Sequence, residues 1–155
     1  MSSRLSAHGL AVDLPDGWEG RIYRRRGGDP ILHAANFPLP HDDGDFGSEA
    51  TARMPLGGSF LVLSEYRPGQ GLEPGRGLFS SETMPLPLEL DHFHPRTLQV
   101  GRSGQAGIQH FFSAGGRPFC LYAVVRPRPG GRRAAAAGAE QVGAINDVLS
   151  TVAFG

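Results

Sequence analysis

Apolar and polar positions alternate along much of this chain, in short runs separated by glycine and proline. Leu10, Val12 and Leu14 alternate with less apolar neighbours, which is typical of a half-buried strand. The run from Phe60 to Leu63 is continuously apolar and indicates a central strand covered on both faces. The same criteria predict further strands in RIYRR, ILHAANF, RTLQV, GIQHFFS and RPFCLYAVV.

Two segments have helical features instead. A short helix is predicted from Ser48 to Met54, capped by Ser48 or by the aspartate-rich turn HDDGDFG before it. A longer helix is predicted from about Ala134 to Val152, with an apolar stripe formed by Val142, Ile145, Leu149 and Val152. Residues 1–155 are therefore predicted to form one α+β domain, an antiparallel sheet of about six to seven strands with the C-terminal amphipathic helix packed on one face.

Composition and charge exclude several functions. The 15 basic and 15 acidic residues balance, so no overall field favours nucleic acid or an anionic membrane. Every basic residue is arginine, which excludes lysine chemistry such as a Schiff base. A single cysteine excludes an internal disulfide and a Cys-rich zinc site. No apolar leader or membrane-length apolar run is present, so a soluble cytoplasmic protein is expected.

The only cysteine, Cys120, follows His110 by ten positions and raises the question of a nucleophile–base pair. The adjacent glycines between them favour a type I′ hairpin turn, which places Phe111 opposite Cys120 and His110 opposite Leu121. Cys120 and His110 then point to opposite faces of the sheet, unless a bulge shifts the register. We expect a buried, inert Cys120 and a neutral core His110.

A metal site is the alternative interpretation of the histidines. His92 and His94 in DHFHP stand two positions apart, and His41 with the acidic residues of the 41–45 loop would supply further ligands. Imidazole suits zinc, copper, nickel or iron(II), and a third ligand is usually needed. The competing interpretation is a solvated polar loop beside a proline.

Two groups of arginines and the single tryptophan are the candidate binding residues. Arg24, Arg25 and Arg26 precede one turn, and Arg132 and Arg133 precede the final helix. Such groups can hold phosphates or an acidic partner. Because no helix-turn-helix, P-loop or aromatic ladder accompanies them, nucleic acid is not the expected partner. Trp18, at a turn, suits either the core or an interface.

The order of the elements resembles the PsbP-like fold, named for the photosystem II extrinsic P-protein. The resemblance is carried by an N-terminal strand that runs into LPDGW (Leu14 to Trp18), a strand-rich middle and an amphipathic C-terminal helix. The segments HAANF, GDFGS and GQAGIQHFF also resemble small actinobacterial proteins. The fold resemblance implies a non-enzymatic binding or assembly role and carries over no catalytic residue.

Three common catalytic and nucleotide-binding motifs are missing from the sequence. GRSGQAG is not the strand–GxSxG–helix elbow of serine hydrolases, and neither GxGxxG nor Walker A is present. We therefore expect a non-catalytic protein-interaction or assembly module of a bacterial cytoplasmic system, without a cofactor, acting as a homo-oligomer or with a protein partner. The alternative is a small metal-binding protein or enzyme that uses His92 and His94 with the 41–45 loop.

Overall fold

Eight strands and two α-helices make up the structure, a computed structural model that describes residues 2–69 and 71–155. Met1 and Gln70 lie outside the described residues. Gln70 falls in RPGQGLEPGRG (residues 67–77), for which the glycines and prolines of the sequence predict a surface loop. The strands are β1 (Ser3–Ala7), β2 (Leu10–Leu14), β3 (Glu19–Arg24), β4 (Pro30–Ala35), β5 (Ser59–Glu65), β6 (Ala106–Ala114), β7 (Arg117–Val125) and β8 (Ala153–Phe154). The helices are α1 (Ser48–Ala52) and α2 (Gly131–Leu149), and short 3-10 turns occupy Gly77–Phe79, Leu90–His92 and Pro95–Thr97.

The strands form two antiparallel sheets. The small sheet has the order β1-β2-β8, and the large sheet has the order β3-β4-β5-β7-β6. The predicted α+β class and antiparallel pairing are confirmed, but the prediction of one sheet is wrong. The sequence pattern did not indicate the small sheet, because β1 is largely exposed with little apolar alternation and β8 has only two residues.

The first face of the large sheet carries the main core. Helix α2 packs there against β5 and β7, next to β2 of the small sheet. Val142, Ile145 and Leu149 are buried in this core, which confirms most of the predicted stripe. The helix ends at Leu149, so Val152 lies beyond it and is only partly buried.

The second face of the large sheet is covered mostly by the connection between β4 and β5. Phe37 and Met54 from this connection are buried against Phe60 and Tyr122 of the sheet. Phe46 meets the Tyr122 ring edge to face, with 5.8 Å between ring centroids. This connection therefore acts as a second structural layer, although it contains only the short helix α1.

The register of the β6–β7 hairpin is the predicted one. Gly115 and Gly116 have φ values of +58° and +74°, as a two-residue type I′ turn requires. Phe111 pairs with Cys120 and His110 with Leu121, so Cys120 and His110 occupy opposite faces. Cys120 is fully buried. His110 is half-buried rather than a core residue, because β6 lies at the edge of the sheet.

The predicted strand RTLQV is wrong. Pro95–Thr97 is a 3-10 turn capped by His94, whose Nδ1 accepts a hydrogen bond from Arg96 N at 3.0 Å. Leu98 then packs against the second-face core. Alternation of apolar and polar residues in this segment reflects one partly buried side chain after a turn, not a pleated strand.

Gly47 is expected to tolerate no side chain. Its φ of +74° is left-handed, and a Cβ would overlap the ring of the fully buried Phe60. Gly27 has the same φ of +74° with open space around it. Gly27→Ala should cost about 1–2 kcal/mol for the backbone conformation alone, and Gly47→Ala should cost about 1–3 kcal/mol more. Urea unfolding of both variants measures the difference, and equal losses would contradict this account of the second layer.

Candidate functional site

A polar cluster lies on the second face, where the 41–47 loop crosses β3 and β4. We call it the His33 cluster, and its members are Tyr23, Arg25, His33, Asp43 and Asp45. Tyr23 and His33 project from neighbouring strands onto the same face, because Arg21 pairs with His33 and residues two apart share a face. Asp43 and Asp45 come from the 41–47 loop.

His33 holds the loop onto the sheet. The residue is 2% exposed, and its Nε2 lies 2.7 Å from the carbonyl oxygen of Asp45. A carbonyl only accepts, so Nε2 carries the proton and donates it. Nδ1 then has a lone pair and lies 3.9 Å from Oδ2 of Asp43.

Asp43 links the cluster to helix α1. Its carboxylate accepts hydrogen bonds from Glu49 N at 2.8 Å and Ala50 N at 3.3 Å, which satisfies two free donors of the first turn. The prediction that the aspartate-rich turn caps this helix is confirmed. Ser48 is not the cap: Gly47 holds the N-cap position, without a side-chain bond.

Arg25 is the member of the predicted arginine group that contacts the cluster. It forms an ion pair with Asp45, donates to the Asp43 carbonyl at 2.8 Å, and lies over the Tyr23 ring. Arg24 and Arg26 are exposed, as are Arg132 and Arg133 at the start of α2. The two arginine groups lie at opposite ends of the large sheet. The antiparallel pairings from β3 through β4 and β5 to β7 make β7 antiparallel to β3. The end of β3 at Arg24 is therefore at the opposite end of the sheet from the end of β7, which leads into α2.

Burial controls the charge state of the cluster. It lowers the pKa of His33, although the hydrogen bond to Asp45 and the charge of Asp43 partly oppose this effect. Burial, with the nearby Asp45 carboxylate, raises the pKa of Tyr23 to about 12. At neutral pH His33 is therefore uncharged and Tyr23 keeps its proton.

A cleft of about 360 Å³ opens beside the cluster, lined by Arg21, Tyr23, Arg25, His33, His41, Asp42 and Asp43. Its polar groups are largely bonded to the protein itself. Arg21 donates to the carbonyls of Pro40 and His41 at 3.1 and 3.2 Å, as His33 does to Asp45. A proton-transfer role for His33 would require the loop to move away, so in this arrangement the cluster organises the loop.

The candidate metal ligands are not brought together. His94 exchanges backbone hydrogen bonds with Gly107 of β6, whereas the His41 carbonyl accepts from Arg21 of β3. β3 and β6 are opposite edges of a five-stranded sheet, about 19 Å apart at about 4.8 Å per strand. His92 is exposed and lies 3.9 Å from Glu89. Within residues 2–69 and 71–155, no group of three or more potential ligands could hold a metal ion.

Cys120 and Trp18 lie in environments that serve the packing of the fold. The Cys120 thiol accepts a hydrogen bond from Gln109 Nε2 at 3.4 Å, and burial raises its pKa, which keeps it protonated. Trp18 is partly buried against the main core. Neither residue lies in the His33 cluster.

Sequence reasoning missed His33 as a site residue. The only signal was a histidine in the apolar strand ILHAANF, since a buried imidazole needs polar partners. Those partners lie 10 and 12 positions away along the chain, and their approach depends on the fold of the loop.

Comparison of the chain with protein families, with characterised proteins and with solved structures finds no match in any of the three. Fold and site geometry are therefore the basis for function. Within the described part of the chain, neither helix combines the length and the apolar content that a membrane-spanning helix needs.

The His33 cluster is expected to make folding stability depend on pH. An unfolded histidine titrates near pH 6.5, and burial holds the pKa of His33 lower in the folded protein. Between these two values the unfolded chain binds the extra proton. The contribution of His33 to the free energy of unfolding is thus fully present above about pH 6.5. It is lost as the pH falls, by up to about 1.4 kcal/mol per pH unit. Urea unfolding between about pH 8 and about pH 5 measures the loss.

His33→Gln is the matched variant, because a glutamine amide can still donate to the Asp45 carbonyl but does not titrate. Its pH slope should be smaller than that of the wild type. His110→Gln is the comparison, since burial also lowers the pKa of the half-buried His110. Equal slopes for the wild type and His33→Gln would show that His33 does not control this dependence.

Proposed function

We propose that this chain is a non-catalytic protein-interaction module whose contact surface is the outer edge of β6. The proposal includes three further points: the fold is PsbP-like, the protein is located in the bacterial cytoplasm, and it takes part in an assembly. The observation that carries it is a stretch of β6 whose backbone donors and acceptors have no partner among the residues that the structure describes.

The direction of the β6 backbone groups follows from the hairpin. In a two-residue turn the flanking residues, Ala114 and Arg117, form a hydrogen-bonded pair. Bonded and non-bonded pairs alternate along an antiparallel ladder, so Gly107, Gln109, Phe111 and Ser113 direct their N–H and C=O groups away from the sheet. The contacts at both ends agree: Gly107 bonds outward to His94, and Ser113 N donates outward to Ser81 O at 2.7 Å.

Between these two contacts the edge is open. Among the described residues, the backbone N–H and C=O groups of Gln109 and Phe111 have no hydrogen-bond partner. Such unpaired edges are templates for pairing with another chain. The exposed large apolar side chains of the described residues are Leu56, Leu78 and Val100, and none lies in β6, so main-chain groups offer the specific contact here.

The interior polar groups support binding rather than catalysis. His33, Arg21 and Arg25 bond to the protein's own loop, and Cys120 is a buried thiol apart from His110. Each is occupied in holding the fold. The open main-chain groups of β6, by contrast, face out of the sheet.

Gln109→Pro tests this surface. Proline removes an outward N–H, so no ladder bond is lost and the fold should persist. The tagged chain, purified from the cells that express it, should carry a stoichiometric partner or form an oligomer by native mass spectrometry. Gln109→Pro should lose that association while unfolding within about 4–8 °C of the wild type.

Ser6→Pro is the matched control. In the β1–β2 hairpin, Ala7 and Leu10 flank a two-residue turn, so the Ser6 N–H also points out of an edge strand. Association should survive this change. A wild-type monomer without a partner, or equal loss in both variants, would contradict the proposal.

A further inference from the structure

We infer that the open part of the β6 edge takes a short extended segment of another protein as an added strand, with an apolar side chain of that segment packed against Phe111. This inference rests on the proposed function and specifies its partner. It is carried by the span of the opening, by the contacts at its two ends and by the side chains that border it.

The protein already shows the required bonding at one end of the opening. His94 N donates to Gly107 O at 2.8 Å, and Gly107 N donates to His94 O at 3.0 Å. This is the pair of bonds that one residue of an added antiparallel strand makes. Gln109 and Phe111 present the same pair of groups further along the strand.

The contacts at the two ends limit the length of the added strand. His94 and Ser81 each occupy the neighbouring-strand position, opposite Gly107 and Ser113. Residues 108–112 remain between them, which is about 17 Å of strand at about 3.4 Å per residue. The opening therefore accepts about three to five residues in extended conformation.

The β6 edge of a second copy does not fit the opening. Two-fold pairing of β6 with its copy would be centred on His110, which brings Gly107 of one copy opposite Ser113 of the other. His94 already stands beside Gly107, and Ser81 beside Ser113, so both copies would clash at both ends. A segment of a different protein has no such covering residues.

The side chains along β6 differ between its faces. On the second face, the half-buried Phe111 ring contacts Phe79 and Tyr66, with centroids 5.6 and 6.5 Å away. The residue of an added strand opposite Phe111 shares this face, so an apolar or aromatic side chain fits there. On the first face, His110 and the exposed Glu89–His92 pair border the edge, which favours a polar neighbour.

Selection from a phage-displayed library of linear peptides of about seven residues tests this inference. Peptides selected on the wild-type chain should share an apolar residue flanked by polar ones. Fluorescence anisotropy with a synthetic selected peptide should show at least tenfold weaker binding to Gln109→Pro, which lacks a donor and whose ring blocks approach, and unchanged binding to Ser6→Pro. Amide shifts in ¹⁵N spectra should centre on Gln109 and Phe111.

Four outcomes overturn the inference. Library selection without enrichment, or peptides that bind Gln109→Pro and wild type equally, would exclude strand addition at this edge. A homo-oligomer that Gln109→Pro disrupts would retain the proposed function and reject a foreign segment. A protein that neither associates nor selects peptides would reject both.

Discussion

The turn at Gly115–Gly116 is the constraint on which the rest of the sheet depends. Both residues have positive φ, which glycine adopts without the cost that other residues pay. The turn fixes the register of β6 on β7, and a one-residue slip would exchange the two faces. Phe111 would then leave the second face, His110 would join Cys120 there because β7 is held in place by β5, and the inward groups of β6 would become the outward ones. Separation of Cys120 from His110 and the open edge at Gln109 and Phe111 are thus two results of the same local geometry.

The second layer depends on a different interaction, the one between His33 and the 41–47 loop. A buried polar group without a partner costs about 1–3 kcal/mol, so a histidine in a covered strand must find one. The Asp45 carbonyl supplies it at 2.7 Å. Asp43 reaches the first turn of α1 from the same loop, so one polar cluster fixes both the loop and the short helix. Burial then lowers the pKa of His33, so this layer is expected to lose stability at acidic pH.

Sequence patterns predicted the parts of the fold that local chemistry decides. Alternation placed β2, β4, β6 and β7, the continuous apolar run placed β5 in the middle of the large sheet, and helical spacing placed α2. β8 was missed because two residues carry no period, and RTLQV was mistaken for a strand because one partly buried leucine after a turn resembles alternation. The His33 cluster was beyond prediction, since its aspartates reach His33 only through the path of a long connection. The outward groups of β6 did follow from the predicted turn, but the positions of Ser81 and His94, which bound the opening, did not.

The covered ends of the β6 edge have a physical consequence for affinity. A long unpaired edge invites aggregation, and occupying both ends with the protein's own backbone reduces that risk. The opening that remains offers two donors and two acceptors, each bond worth about 0.5–1.5 kcal/mol net. About four such bonds sum to about 2–6 kcal/mol, whereas association costs an estimated 4–15 kcal/mol before any is formed. Backbone pairing alone would therefore give weak binding of the proposed segment, and an apolar side chain buried on Phe111 would have to supply much of the remaining free energy. An edge of this design would select partners by that one side chain and release them quickly, which suits a reversible assembly better than a permanent one.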